Sequence, residues 1–122
     1  MRLLVLLIML MAIPVEAELH RVDGQKKAVD VNALLVYDRP NIVCFFAVSN
    51  SICRNLYPKI EQLARRGDLE LHLVDVGDVH SPTARKYAIT SVPYFKMYDK
   101  KSNLTSEGSP AYKQVTEMLD KL

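Results

Sequence analysis

The run Ile42-Val43-Cys44-Phe45-Phe46-Ala47-Val48-Ser49-Asn50-Ser51-Ile52-Cys53 decides how this chain is read. Its first seven residues are apolar on both faces, which suits a central β-strand covered by helices on either side. Ser49-Asn50-Ser51 then supplies capping side chains. Ile52, Leu56, Ile60, Leu63 and Ala64 fall on one helical stripe that ends at Arg65-Arg66-Gly67. Cys53 therefore sits in the first turn of a helix that leaves the central strand. Pro58 lies inside that helix, where it removes one hydrogen bond and crowds the preceding turn, so a kink is expected.

Outward from this unit the pattern alternates between helix and strand. Upstream, after a short polar lead-in, Ala28 to Leu35 spaces its apolar residues for a helix and stops before Arg39-Pro40. Downstream, Leu69 to Asp75 alternates as a strand, and Ser81-Pro82 opens a short helix through Tyr87. From Val92, the residues Pro93, Phe95 and Met97 alternate with Tyr94, Lys96 and Tyr98 as a further strand. It turns at Asp99-Lys100-Lys101-Ser102 into a short edge strand at Leu104-Thr105, and the two are expected to form an antiparallel hairpin. Gly108 breaks the chain and Ser109-Pro110 starts a last helix, with Tyr112, Val115, Leu119 and Leu122 expected on its buried face. The predicted order, α, β, α, β, α, β, β, α, is an α/β fold with a central mixed sheet and helices on both faces.

At the N-terminus, Met1 and Arg2 precede an unbroken apolar stretch from Leu3 to Ile13, and Pro14-Val15-Glu16-Ala17 carries small residues where a signal peptidase reads. The expectation is a secretory leader over residues 1–17, removed after Ala17, and a domain over 18–122 that works in the periplasm or outside the cell. The stretch is shorter than the roughly 18 apolar residues a membrane crossing needs, so no membrane attachment is expected after cleavage. The remaining chain is long enough for one core and too short for two. Net charge is +2, and the leader takes away one positive residue, Arg2, and one negative, Glu16. So weak a field predicts no nucleic-acid partner, and a monomer is the default. Two cysteines, Cys44 and Cys53, are too few for a disulfide-stapled scaffold, so the core must hold the fold.

A cysteine in the first turn of a helix lies where the helix dipole favours a thiolate, as redox thiols require. The surrounding residues carry a family likeness. Phe45-Phe46-Ala47-Val48-Ser49-Asn50-Ser51-Ile52-Cys53 resembles the thioredoxin active-site segment, with Pro58 five residues after the cysteine as in that family. Lys86-Tyr87-Ala88-Ile89-Thr90-Ser91-Val92-Pro93-Tyr94 resembles the segment that holds thioredoxin's cis-proline, and Glu107-Gly108-Ser109 resembles its groove glycine. The resemblance spans essentially the whole domain and implies a thioredoxin fold.

The departures from that pattern cluster at one place. In thioredoxins the first cysteine of Cys-x-x-Cys attacks a substrate disulfide and the second resolves the mixed intermediate. Here the attacking position is Asn50, so the motif is Asn-Ser-Ile-Cys and only the resolving thiol, Cys53, remains. The family's buried acid on the central strand corresponds to Cys44, the tryptophan before the motif to Ser49, and the chain has no tryptophan. An amide cannot attack a disulfide, so ordinary dithiol turnover is not expected.

Three readings stay open. Cys53 could form mixed disulfides with exported clients or a redox partner, or, like the resolving thiol it resembles, be recessed and inert. Cys44, which the resemblance puts under the helix carrying Cys53, could bridge to it or pack as a small apolar residue. Without redox chemistry, a groove of Ser49, Asn50, Ser51, Ile52, Val92, Pro93 and Gly108 could take extended client segments as an added strand. His20, His72 and His80 lie far apart with no second ligand at metal spacing and read as surface or loop histidines, so neither metal nor cofactor is expected. Tyr87, Tyr94 and Tyr98 read as half-buried rings with wet hydroxyls. Asn103-Leu104-Thr105 fits a glycosylation acceptor in a turn, relevant only in a eukaryotic secretory pathway.

Overall fold

The computed structural model describes residues 19–122; the expected leader over 1–17 lies outside the described residues. The apolar run read above as the central strand is β2 (Asn41–Phe46), in which only Phe46 is less than fully buried. It takes the middle place in a five-stranded sheet of order β1-β3-β2-β4-β5. Its neighbours are β3 (Glu70–Asp75), which runs parallel to it, and β4 (Tyr94–Tyr98), which runs antiparallel. The hairpin partner of β4 is β5 (Leu104–Glu107) at one edge, and Asn103 is exposed in the turn between them.

Alternation along β2 sends its side chains into two separate cores. Ile42 and Cys44 meet Leu71, Leu73 and Phe95 under two helices, α2 (Ser51–Ala64) and α4 (Ser109–Asp120). Val43 and Phe45 meet Val74, Val76 and Tyr98 on the other face, under α1 (Val31–Leu34) and α3 (Pro82–Lys86). The mixed α/β sheet with helices on both faces is as expected. The caps follow the predicted chemistry. Ser81 Oγ accepts from the Ala84 amide with Pro82 in the first turn of α3, and α2 continues through Pro58 to Ala64.

Several expectations need correction. A first strand, β1 (Leu19–Asp23), stands where a polar lead-in was read, pairing parallel with β3 from Leu19↔Leu71 to Asp23↔Asp75. With two charged residues and a histidine in five, it has no apolar period of its own, and its pairing with β3 makes it a strand. The first helix is only four residues long, because Ala28-Val29 is drawn out of helical geometry. The Val29 amide donates to Thr83 Oγ1, the Tyr87 hydroxyl donates to the Val29 carbonyl, and the Val31 amide donates to the Tyr87 hydroxyl. On α4 the buried stripe is Ala111, Val115 and Leu119; Tyr112 and Leu122 are exposed, and the Tyr112 ring is tilted against that of Phe95. The cap of α4 is Gly108 rather than Ser109, at φ +69°, a conformation that favours glycine. Tyr98 is buried rather than half-wet.

The histidine reading also changes. His72 is only 1% exposed, in the middle of β3. Its Nε2–H donates to Asn41 Oδ1 at 2.8 Å, and its ring stacks on that of His20, its register partner on β1, at 4.8 Å. Asn41 holds this end of the sheet together. Its Oδ1 also accepts from the Val36 amide, and its Nδ2 donates to the carbonyls of Val36 and Arg39. Glu70, also buried, receives His20 Nε2 at 3.0 Å, and Arg39 Nε lies 3.4 Å from its other oxygen. Among the described residues, no helix is long and apolar enough to cross a membrane, and no three His, Cys, Asp or Glu side chains are grouped to hold a metal ion.

Candidate functional site around Cys53

The site forms where β2 ends and α2 begins. The Asn50 amide donates to the Ala47 carbonyl, closing the turn, and Asn50 Oδ1 accepts from the Cys53 amide at 3.0 Å. Asn50 is thus the N-cap of α2, using the short side-chain oxygen that a first-turn amide needs. The Asn50 side chain is thereby engaged in holding the helix. Cys53, one turn in, is 6% exposed.

Two effects compete at its sulfur. Backbone hydrogen bonding at Ala47 and at Cys53 itself favours a thiolate, whereas burial, with the Asp75 carboxylate nearby, opposes it. Burial wins, and the thiol is pushed up rather than down. The helix dipole acts at this place, but burial outweighs it because the sulfur has left water, as the recessed reading of Cys53 expects. Cys44 lies deeper at 1% exposure, and burial, followed by the proximity of Cys53, pushes it well above the ordinary thiol range.

Cys44 and Cys53 are both free thiols. They line one small cavity together with Phe46, Leu73 and Pro93. At about 10 Å³ it has room for a single water at most. Cys53 thus lies beside Cys44, as the resemblance implies, and also beside Pro93, in a packed junction rather than an open pocket. The Val92–Pro93 peptide is cis.

The remaining groove residues split into two groups. Ser49, Ser51 and Ile52 are exposed, Ile52 by 50%, and Asn50, Val92 and Pro93 are partly so. Gly108 packs towards Tyr94, with its amide donating to the Phe95 carbonyl, and it lines neither cavity that Cys53 touches.

Sequence reasoning missed a second opening. On the other side of Cys53 a cleft of about 550 Å³ is walled by Phe46, Ala47, Val48 and Tyr57, with Arg21 and Arg54 beside them. Arg21 comes from β1, the strand that was not foreseen, so no local signal pointed to the cleft.

The thioredoxin family model matches residues 23–121. The chain belongs to the thioredoxin family. Its fold is shared with solved thioredoxins. The reduced thioredoxin pre-protein of Schistosoma mansoni is 26% identical, with 85% of this chain and 97% of that one covered, at a TM-score of 0.63. Fasciola hepatica thioredoxin is 28% identical over 70% and 82% of the two chains, at 0.54. The short form of spinach chloroplast thioredoxin F is 20% identical over 89% and 96%, at 0.64. No curated protein sequence matches. This is a thioredoxin-like protein, then, of a family whose work is thiol–disulfide exchange. In this chain Asn50 caps the helix that carries Cys53, and Cys53 is buried with its thiol pushed up by that burial.

Proposed function

We propose that this is an exported thioredoxin-family protein that binds extended segments of exported client proteins beside Pro93, keeps Cys53 as a guarded single thiol, and performs no autonomous dithiol turnover. The observation that carries this reading is the Asn50 cap. The residue at the attacking position spends its side chain on the Cys53 amide, and the cysteine behind it is nearly sealed. Export rests on the apolar run Leu3 to Ile13 and the small residues before Glu18. Client binding is supported by the exposed Ile52 and the partly exposed Val92-Pro93, apolar surface of the kind that marks an interaction site.

The test is the pH dependence of Cys53 alkylation in the native protein, read by intact mass and run beside an insulin-reduction assay. Slow native labelling with a midpoint above about 8.5 and no insulin reduction are expected. Fast labelling with a lower midpoint would replace this reading with a live monothiol. Cysteine-free unfolded peptides should bind the wild type and Cys53→Ser alike and lose affinity to Ile52→Asp. Asn50→Cys should gain some reductase activity, since it places a thiol at the cap of the helix that carries Cys53.

A further inference from the structure

The cleft on the far side of Cys53 has no part in the reading above. It is large enough for a small molecule, within the roughly 300–1,000 Å³ typical of ligand sites. Its walls are almost wholly apolar, yet two guanidinium groups stand beside them, and the two differ. Arg21 is already engaged, with Nε–H donating to the Tyr57 hydroxyl at 2.7 Å and Nη2 pairing with Glu61 at 3.3 Å. Arg54 gives one N–H to the Val48 carbonyl at 3.2 Å and, among the described residues, has no carboxylate within ion-pair distance. A guanidinium carries five N–H donors in a planar fork suited to a carboxylate. Asp75, the acid whose charge acts on the Cys53 thiol, has its oxygens occupied by the Gly77 amide and the Gln25 side chain.

We propose that this cleft is a binding site for a single-chain alkyl carboxylate, its chain against Phe46, Ala47 and Val48 and its anionic end on Arg54. An apolar trough beside one unpaired cation is complementary to a ligand with an apolar body and one negative charge. A cationic amphiphile would meet like charge, and a neutral one would leave the Arg54 fork unused. Cys53 lines the same cleft, so the bound ligand covers its sulfur from this side.

Decanoate, decanol and decyltrimethylammonium, each titrated below its micelle concentration into the full domain, test the assignment by amide chemical shifts. Decanoate should produce saturable shifts at Ala47, Val48 and Arg54, and should bind at least tenfold more tightly than the cation. Arg54→Gln should weaken decanoate about tenfold and leave decanol unchanged, a tenfold loss being one charge-assisted contact's worth. Val48→Asp, at a position 64% exposed and so tolerant of charge, should abolish decanoate binding. Bound decanoate should also slow maleimide labelling of Cys53. Absence of saturation up to about 1 mM, the weak end of specific affinity, or an Arg54→Gln variant that binds decanoate as the wild type does, would overturn the proposal. Binding should persist in Cys53→Ser and in Ile52→Asp, so its failure is separable from failure of the client-binding reading.

Discussion

Strands β2 and β3 run side by side from Asn41 and Glu70 to Phe46 and Asp75, and their two ends solve burial in opposite ways. At the starting end, oxygen and nitrogen are buried: Asn41, Glu70 and His72 are each at most 5% exposed. Such atoms cost about 1–3 kcal/mol each if left unpaired, and nearly all of them have partners. The atoms without a hydrogen bond are His72 Nδ1 and Arg39 Nε, and the second still lies within ion-pair distance of Glu70. At the finishing end, on the face covered by the Cys53 helix, the side chains of Cys44 and Cys53 bury two sulfurs, which pack as small apolar groups and need no partner. A nitrogen-and-oxygen cluster fixes the sheet at one end, while a thiol at the other can be sealed or uncovered at little cost.

Two asparagines, one at each end, give the comparison its most direct test. Asn41→Ala removes an oxygen that receives His72 and the Val36 amide and a nitrogen that serves two carbonyls. Several buried groups lose their partner at once, so a loss of about 4 kcal/mol is expected in urea unfolding. An effect under about 1 kcal/mol would mean that water replaces the side chain and that the polar end is less sealed than it looks.

Acid should weaken the same end next. Burial, and then the nearby charge of His20, lower His72 to about 4 from 6.5, against a smaller opposing pull from Glu70. The unfolded chain therefore takes up a proton below pH 6.5 and the folded chain only below about 4. Stability from this group is full above pH 6.5, falls as pH drops towards 4, and levels off below that. The full interval corresponds to at most about 3 kcal/mol. Urea midpoints at a series of pH values should show the decline in the wild type and a flatter profile in His72→Phe; equal slopes would assign the acid response to other groups.

How much of this was legible follows from the same contrast. The central strand, the capped helix carrying Cys53 and the hairpin were readable because each has a local signature: a run buried on two faces, an Asx cap before a helical stripe, a polar turn between alternating residues. The cap was readable within Ser49-Asn50-Ser51, where Asn50 fills it. β1 was not, since Leu19-His20-Arg21-Val22-Asp23 becomes a strand only through the partner it finds 50 residues away. The burial of His72 and the Arg21 wall of the cleft depend on that strand and were lost with it. The sign of the Cys53 shift depends on how much water reaches the sulfur, which no spacing rule encodes.

At the thiol end, replacing sulfur by oxygen should expose the difference between the two solutions. The Cys44 side chain has one long contact, to the Phe45 carbonyl at 3.9 Å, and otherwise meets apolar atoms. Cys44→Ser buries a hydroxyl with little to bond to, and about 2 kcal/mol should be lost. Cys44→Ala, which buries no polar atom, should cost less than Cys44→Ser. If serine is the better tolerated of the two, the junction holds water and the thiol end is not the dry packing described above.

The smallest effect belongs to the second asparagine. Asn50 is partly exposed and serves one amide through one oxygen, so Asn50→Ala forfeits a helix cap and nothing buried, about 1 kcal/mol. Asn50→Ser and Asn50→Asp keep a capping oxygen and should recover most of that loss in the same urea measurement. The ratio to Asn41→Ala is what matters. Two identical side chains on one stretch of chain, nine positions apart, should differ about fourfold in cost because one supports a buried network and the other a helix end open to solvent. If Asn50→Ala proves as damaging as Asn41→Ala, the Asn50 side chain orders more than the first turn of α2. The active-site position would then have been kept for structure, and the return of a cysteine there would cost the fold before it restored any chemistry.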